Sequence, residues 1–320
     1  MNQLPFEVRT QIAAGLVDGL SIRAAERLLG VHRDSIMRFG ITAGDACAKL
    51  HDALVRDVRP TLIQADELWT FCTKKQRRVR QDDPAEYGDQ YVFLATDAVA
   101  KLIIAYRVGK RTGATADAFM QDLRARVLGC PQLTTDAWPS YPEVVDRHFG
   151  PDVDYGTVDK DYSVPQAQDA ARRYSPGRIL RQTKAVVLGE PAWDKICTSH
   201  VERLNLSVRV SLKRFARLTI AHSKRLRNLE AAVSLFVAHF NFCRVHETLR
   251  VTPAMESGLT DHVWSMTELL RTALEPGALP PIPAAPAPLT GMSAGAAKGE
   301  GRGTKIGPRP GLRVIKGGLI

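Results

Sequence analysis

Three acidic residues in separate parts of the chain have surroundings that suit one catalytic metal site. Asp66 lies inside an apolar, strand-like run over residues 62–69, and Asp136 ends a second short β-rich run. Glu202 falls in the first turn of a basic segment that we predict to be a helix from Ser199 to about Leu218. A carboxylate inside a buried strand is costly unless it is paired or binds a metal. Three such residues beside a cationic helix therefore predict divalent cations that act on a phosphate backbone.

Each of these acids also has a structural alternative. Asp66 could lie on an exposed edge strand, and Asp136 could cap the turn that follows it. Ser199 and Glu202 form a Ser-x-x-Glu pattern typical of a capping box, in which the glutamate carboxylate bonds the N-cap amide. One carboxylate cannot fill both roles, so Glu202 is either a cap or a site residue.

Two further acids receive no catalytic role. Alternation along a strand puts Asp66 and Glu67 on opposite faces, which makes Glu67 the weaker candidate. Asp97 lies where the second and third predicted strands meet, and aspartate at a hairpin connection usually serves the turn.

Positive charge is concentrated after Glu202. The formal net charge is +10, which predicts a polyanionic partner. No acidic residue occurs between Arg203 and Leu229, whereas a solvated charged face usually mixes both signs. We interpret this run as phosphate-binding. The residues of the run that we expect to contact DNA are Arg203, Asn205, Arg209, Lys213 and Arg214.

The first 50 residues have helical periodicity and predict three helices, at about 6–18, 22–29 and 33–50. Two short helices around a turn at Gly30 describe a helix-turn-helix. Its second helix would carry Arg33, Ser35 and Arg38 towards a DNA groove. The alternative is a small three-helix unit whose role is packing alone.

From about residue 58 the period changes, and five strands are predicted. The order is three strands, a helix, a strand, an irregular segment, a strand and two helices. This order predicts a mixed α/β sheet flanked by helices. We therefore divide the chain into an all-α helix-turn-helix domain at 1–57, a catalytic domain at 58–271 and a disordered, basic, Pro/Ala/Gly-rich tail at 272–320. The predicted strands are 61–71, 91–96, 101–108, 132–135 and 184–188.

Several classes of protein are disfavoured. The five cysteines are far apart and form no Cys-x-x-Cys pair, so neither a zinc knuckle nor a disulfide framework is supported. No apolar run approaches the ~18 residues of a membrane span, so we expect no membrane partner. The first residues lack the features of a signal peptide, and we expect a cytoplasmic location. No Gly-rich nucleotide loop indicates ATP use.

Four pieces of the sequence resemble a bacterial DDE transposase, and the resemblance is greatest to the insertion-sequence-one family. Their order and spacing are more specific than any single piece. They are Gln64–Trp69, Thr135–Tyr141, Thr198–Asn205, and Asn241–Leu249 followed by Thr252–Met255.

The resemblance implies a ribonuclease-H-like fold with a five-stranded mixed sheet. Asp66 would lie on the first strand, Asp136 after the fourth, and Glu202 on the helix after the fifth. The three would hold two Mg²⁺ or Mn²⁺ ions per active site. Relatives often carry a cysteine-rich zinc module before the helix-turn-helix, and this sequence contains none.

The activity implied is cleavage of DNA strands and transfer of a 3′-hydroxyl end of an insertion element. The implied partners are double-stranded DNA, as element ends and target, and further copies of the chain in a dimer or higher oligomer on DNA. The implied location is the bacterial nucleoid. Two alternatives stay open: a non-catalytic helix-turn-helix regulator, and a nuclease of the same fold that cuts without joining.

Overall fold

A mixed six-stranded sheet forms the centre of the computed structural model, which describes residues 4–162, 179–216, 219–275 and 277. The strand order is β3-β2-β1-β4-β5-β6. The strands are β1 Leu62–Cys72, β2 Gly88–Asp97, β3 Ile103–Gly109, β4 Gln132–Asp136, β5 Asp154–Tyr162 and β6 Ile179–Leu188.

Strand β1 lies in the middle of the sheet, antiparallel to β2 and parallel to β4. Its residues Gln64 and Ala65 point to opposite faces and are both buried, because helices cover both faces of the sheet here. The register pairs Gln64 of β1 with Thr134 of β4. Two residues further along both strands, the same register brings Asp66 beside Asp136.

Helices pack on both faces of the sheet and precede it. On one face, Leu68 and Leu94 pack in a cluster with Val201 of α6. On the other face, Phe93 packs with residues of α4 and α5. The helices are α1 Phe6–Val17, α2 Ile22–Leu29, α3 Arg33–Leu54, α4 Gly113–Arg124, α5 Tyr141–Phe149, α6 Ser199–Ser211, α7 Leu226–Phe242, α8 Pro253–Glu256 and α9 Met266–Leu274.

The N-terminal helices are joined as the sequence predicts. The Ser21 hydroxyl caps α2 by accepting a hydrogen bond of 3.1 Å from the Ala24 amide. Gly30 ends α2 with a φ of 64°, a left-handed conformation that favours glycine. The predicted N-terminal helical region is thus present, and its action as a DNA-binding helix-turn-helix stays a prediction.

Helix α3 also packs closely against α7. A Cβ atom added at Gly44 would lie 2.1 Å from the carbonyl oxygen of Ala231, so no larger residue fits there. Buried side chains of α1, α2 and α3 belong to the same hydrophobic cluster as one face of the sheet. The N-terminal helices therefore share the core of the sheet, and the division into domains at residues 57 and 58 remains a functional prediction.

The predicted α/β class with flanking helices is confirmed, but the sheet has six strands rather than five. Strand β5 lies in the segment that was predicted to be irregular. The strand was missed because its polar sequence DYGTVDKDY lacks a clear apolar alternation. The strand predicted at 184–188 is the sixth, β6, and runs antiparallel to β5. Helix α5 was not predicted either. Helix α6, which carries Glu202, consequently follows the sixth strand.

Two boundaries also differ from the prediction. Helix α6 ends at Ser211, whereas the basic helix was predicted to reach about residue 218. Helix α9 crosses the predicted boundary between residues 271 and 272, and most of the predicted tail lies outside the described residues. Among the residues described, no helix combines the length and the apolar character that crossing a membrane requires.

Candidate metal centre

Three carboxylates from two neighbouring strands converge at one point of the sheet. Asp66, Glu67 and Asp136 each offer an oxygen atom, and these atoms all lie within 4.8 Å of one another. We call these three residues the acidic cluster. Two of the three acids selected from the sequence, Asp66 and Asp136, are thus close together, and Glu67 joins them.

Asp66 faces α6. Its Oδ2 atom accepts a hydrogen bond of 2.8 Å from Nδ2 of Asn205. Burial raises the pKa of Asp66 to about 7, and the negative charges of Glu67, Asp136 and Glu202 contribute to the increase. The ionised form of Asp66 is therefore unfavourable unless a further positive charge comes close.

Glu67 faces the opposite side of β1, towards α5, and its side chain is only 3% exposed. Its Oε2 atom accepts a 3.0 Å hydrogen bond from Nε of Arg111, and its Oε1 atom accepts one from the hydroxyl of Tyr141. Burial and the charge of Asp136 raise the pKa of Glu67, while the Tyr141 and Arg111 contacts oppose this effect.

The sequence contained a signal for Glu67. A strand as apolar as 62–69 is typical of a sheet covered on both faces, where a carboxylate is costly whichever way it points. Alternation excluded Glu67 from the face of Asp66, but it did not exclude Glu67 from the site.

Asp136 serves the turn that was the structural alternative for it, and it also lies in the acidic cluster. Its Oδ1 atom accepts a 3.1 Å hydrogen bond from the amide of Trp138, which fixes the turn after β4. Its Oδ2 atom lies 3.1 Å from Nη2 of Arg111. Arg111 therefore bridges Asp136 and Glu67, and its guanidinium carbon lies 4.6 Å from the centre of the Trp138 ring.

Glu202 does not join the acidic cluster in the described part of the chain. Its Oε1 atom accepts a 2.7 Å hydrogen bond from the Thr198 hydroxyl and pairs with Nζ of Lys160. The N-cap of α6 is Thr198 rather than Ser199, and it has no side-chain cap bond, so the capping-box alternative is wrong. Glu202 lies one helical turn before Asn205, which contacts Asp66.

Residues predicted to contact DNA have different surroundings. Arg33 and Arg38 are exposed at the start of α3, and Arg38 lies 3.4 Å from the hydroxyl of Ser35. Arg203 on α6 and Lys213 after it are exposed as well. All of these side chains are accessible to a nucleic acid.

The other three residues predicted to contact DNA form hydrogen bonds with other residues of the protein. Arg214 donates to Oγ of Ser223 at 2.8 Å and to the Asn228 carbonyl at 2.7 Å, and burial lowers its pKa to about 10. Arg209 donates to the carbonyl of Phe215 at 3.3 Å. Asn205 is buried against Asp66. Arg214 and Arg209 therefore hold the segment after α6, and Asn205 belongs to the acidic site.

The residues present fit a hard divalent cation. Mg²⁺ and Mn²⁺ prefer oxygen ligands, and the acidic cluster supplies carboxylate oxygens on one spot. The buried Oδ1 atom of Asn205 has no hydrogen-bond partner among the described residues. A buried amide oxygen without a partner is unfavourable, and a nearby cation or a water bound to it would satisfy it.

Asp97, which was assigned no catalytic role, serves a turn. Its Oδ1 atom accepts hydrogen bonds from the amides of Val99 at 2.7 Å and Ala100 at 3.2 Å. These contacts account for a buried aspartate without any ligand.

Comparison with solved structures finds similarity to transposases in complex with DNA. The chain is 13% identical to piggyBac transposase in a synaptic complex with hairpin DNA, with a TM-score of 0.39, covering 84% of this chain and 69% of that one. For a pre-cleavage Mos1 transpososome the identity is 13% and the TM-score 0.20, covering 48% of this chain and 60% of that one. For a Mos1 mariner paired-end complex with Mn the identity is 12% and the TM-score 0.20, covering 47% of this chain and 57% of that one.

The chain therefore spans less than two thirds of these Mos1 chains. No family model matches it, and no curated protein does. At TM-scores below 0.5 the function has to be argued from the site itself. Membership of the insertion-sequence-one family stays a prediction.

Proposed function

We propose that the protein is a DNA transposase that cleaves DNA strands and transfers their 3′-hydroxyl ends in a metal-dependent reaction. The observation that carries this proposal is the convergence of Asp66, Glu67 and Asp136 within 4.8 Å, from strands that are separate in the sequence. A helix with the exposed cation Arg203 lies beside them, linked to Asp66 through Asn205. A metal site next to a phosphate-binding surface suits cleavage of a nucleic-acid backbone.

The acidic cluster, with Oδ1 of Asn205, would hold Mg²⁺ or Mn²⁺. Bound there, such an ion lowers the pKa of an attacking water or hydroxyl and stabilises charge on the phosphate. We propose two ions per site, as the resemblance implies, with Glu202 as a ligand that approaches from α6. No activated protein nucleophile is needed.

The cationic side chains of this chain would bind and orient the DNA. Arg203 and Lys213 are exposed on and just after α6 and would contact phosphates close to the acidic cluster. Arg33 and Arg38, exposed at the start of α3, would bind element ends in a groove. Cleavage at two element ends would require at least two copies of the chain assembled on double-stranded DNA.

The test is a cleavage assay on a plasmid that carries the coding region with its genomic flanks. We expect Mg²⁺-dependent nicking by the unaltered protein, and loss of nicking in Asp66→Asn and Asp136→Asn with DNA binding retained. Asp97→Asn is the matched control, because it removes a buried carboxylate outside the site. Binding without nicking in Mg²⁺ or Mn²⁺ would indicate a regulator. Nicking that never joins a pre-cleaved 3′ end to target DNA would indicate a nuclease.

A further inference from the structure

A row of three rings continues along β1 beyond the acidic cluster. Trp69 and Phe71 follow Glu67 on the same face of the strand, and their ring centres lie 5.7 Å apart. The ring of His222 lies 4.5 Å from that of Phe71 and is tilted by 32°. We call Trp69, Phe71 and His222 the aromatic strip. It begins two residues, or about 7 Å, beyond Glu67.

The aromatic strip is accessible. Trp69 is 36% exposed, and neither Trp69 nor Phe71 belongs to a hydrophobic cluster among the residues that the structure describes. Glu67 itself is covered by α5 on this face, as its contact with the Tyr141 hydroxyl shows. A large indole left partly in water on a central strand is not accounted for by packing.

The turn after β1 places positive charges around these rings. Nζ of Lys75 lies 5.8 Å from the centre of the Trp69 ring. Arg77 and Arg78 are exposed and form no ion pair with any described residue. Lys74 pairs with Asp83 at 2.6 Å. We call residues 74–80 the cationic turn.

A hollow lies between the strip and the turn. Its volume is about 290 Å³, and it is lined by Phe71, Thr73, Lys74, Lys75, Arg77, Arg78 and His222. Rings on one side and cations on the other are complementary to a nucleotide, whose base is flat and apolar and whose phosphate is negative.

We infer that the aromatic strip and the cationic turn bind an unpaired DNA strand that leads away from the acidic cluster. Bases of a single strand offer their faces for stacking on Trp69, whereas bases within a duplex are already stacked on each other. Arg77 and Arg78 neutralise phosphates of the same strand. Stacking and charge are tolerant of base sequence, so this surface binds strands of any composition. The inference rests on the proposed function for the choice of DNA as the polyanion.

The test measures binding in EDTA, where cleavage cannot occur. A fluorescent oligo-dT of about 12 nucleotides, within the usual size of a single-strand site, is compared with a blunt duplex of equal length by fluorescence anisotropy. We expect Trp69→Leu to weaken oligo-dT binding about tenfold, and Trp69→Phe to retain it within about threefold, because a ring still stacks. Duplex affinity stays unchanged in both. Trp193→Leu is the matched control, since Trp193 is 58% exposed and lies outside the strip.

Unchanged oligo-dT affinity in Trp69→Leu would overturn the inference, and so would an equal loss for oligo-dT and duplex. Should Trp69→Leu fail to fold by circular dichroism, the Arg77→Gln/Arg78→Gln double variant decides. We expect it to weaken oligo-dT binding. The slope of log affinity against log salt should fall by the amount that corresponds to about two phosphate contacts. An unaltered salt dependence would contradict the inference. None of these results depends on nicking, so failure of the proposed function is recorded separately in the plasmid assay.

Discussion

Two regions along β1 differ in almost every physical respect. The acidic cluster, in the middle of the strand, holds negative groups that are largely enclosed and tied to fixed partners, among them Asn205, Arg111 and Tyr141. A few residues further on, the aromatic strip and the cationic turn are open to solvent, and Arg77 and Arg78 have no ion-pair partner among the described residues. One strand thus carries groups suited to chemistry beside groups suited to holding a polyanion.

The acidic cluster and the cationic turn differ in how far their side chains are exposed to solvent. They should therefore respond to different perturbations. Burial raises the pKa of Asp66 to about 7, so its ionised carboxylate needs a cation close by. Replacing one carboxylate oxygen by an amide nitrogen removes this charge. An exposed cation acts through solvent, where each contact is weak and is screened by salt. Changes in the acidic cluster should therefore be large and metal-dependent, and changes in the cationic turn small and salt-dependent.

The largest effect is expected for Asp66→Asn. This change removes a proposed metal ligand without changing volume, and loss of about 4 kcal/mol of transition-state stabilisation corresponds to about a thousandfold slower nicking. Affinity for oligo-dT in EDTA should stay within about twofold, because the cationic turn is unaltered. Quantitative nicking assays measure the loss of cleavage, and fluorescence anisotropy measures the affinity for oligo-dT. A parallel loss of nicking and strand binding would mean that the acidic cluster and the aromatic strip are one site.

A smaller loss is expected for Glu202→Gln. Glutamine can still accept the Thr198 hydrogen bond but cannot balance Lys160 or bind a cation well. We expect nicking to fall about 100-fold, in the range for groups that support a metal site, with little change in thermal midpoint. Lys160→Gln is the comparison, since it disturbs the same pair without removing a carboxylate. Full activity in Glu202→Gln would remove Glu202 from the site.

An effect of opposite sign is expected for Arg111→Gln. Arg111 supplies positive charge to Glu67 and Asp136, so its loss leaves both carboxylates free to attract a cation. A partly exposed ion pair contributes about 1 kcal/mol, which corresponds to about fivefold tighter Mn²⁺ binding. Titration followed by electron paramagnetic resonance measures this affinity. Arg124→Gln, which removes a pair with Asp152 elsewhere, should leave Mn²⁺ affinity unchanged. Weaker Mn²⁺ binding in Arg111→Gln would show that Arg111 orients the carboxylates.

The smallest effect is expected for Lys75→Gln in the cationic turn. Loss of one phosphate contact should weaken oligo-dT binding about two- to threefold at moderate salt and reduce the salt slope by less than one. Lys195→Gln, an exposed lysine outside the turn, is the control. Anisotropy at several salt concentrations measures the oligo-dT affinity and its salt slope in both variants. Equal values in the two would mean that the strand does not bind at the cationic turn.

Much of the fold could be predicted because its apolar periodicity is strong. The three N-terminal helices and the first four strands lie close to their predicted positions. Helix α5 was missed because it is short and follows a Trp-Pro-Ser sequence that is typical of a turn. Strand β5 was missed because aspartates and a glycine interrupt its pattern.

Glu67 was set aside because alternation puts it on the face of β1 opposite Asp66. Its partner on that face is Tyr141, the first residue of α5, a helix that was not predicted. Alternation along β1 was correct, since Asp66 meets α6 and Glu67 meets α5. Periodicity indicates which way a side chain points, but not which later element will approach it.

We propose that Asp66, Glu67 and Asp136 together hold a divalent cation. The most direct test is anomalous X-ray diffraction from crystals of the full chain soaked in Mn²⁺, with Asp66→Asn/Asp136→Asn crystals soaked in parallel. We predict an anomalous peak among the three carboxylates that is lost in the double variant. Mn²⁺ bound elsewhere on the protein, with no peak at these carboxylates, would contradict the claim.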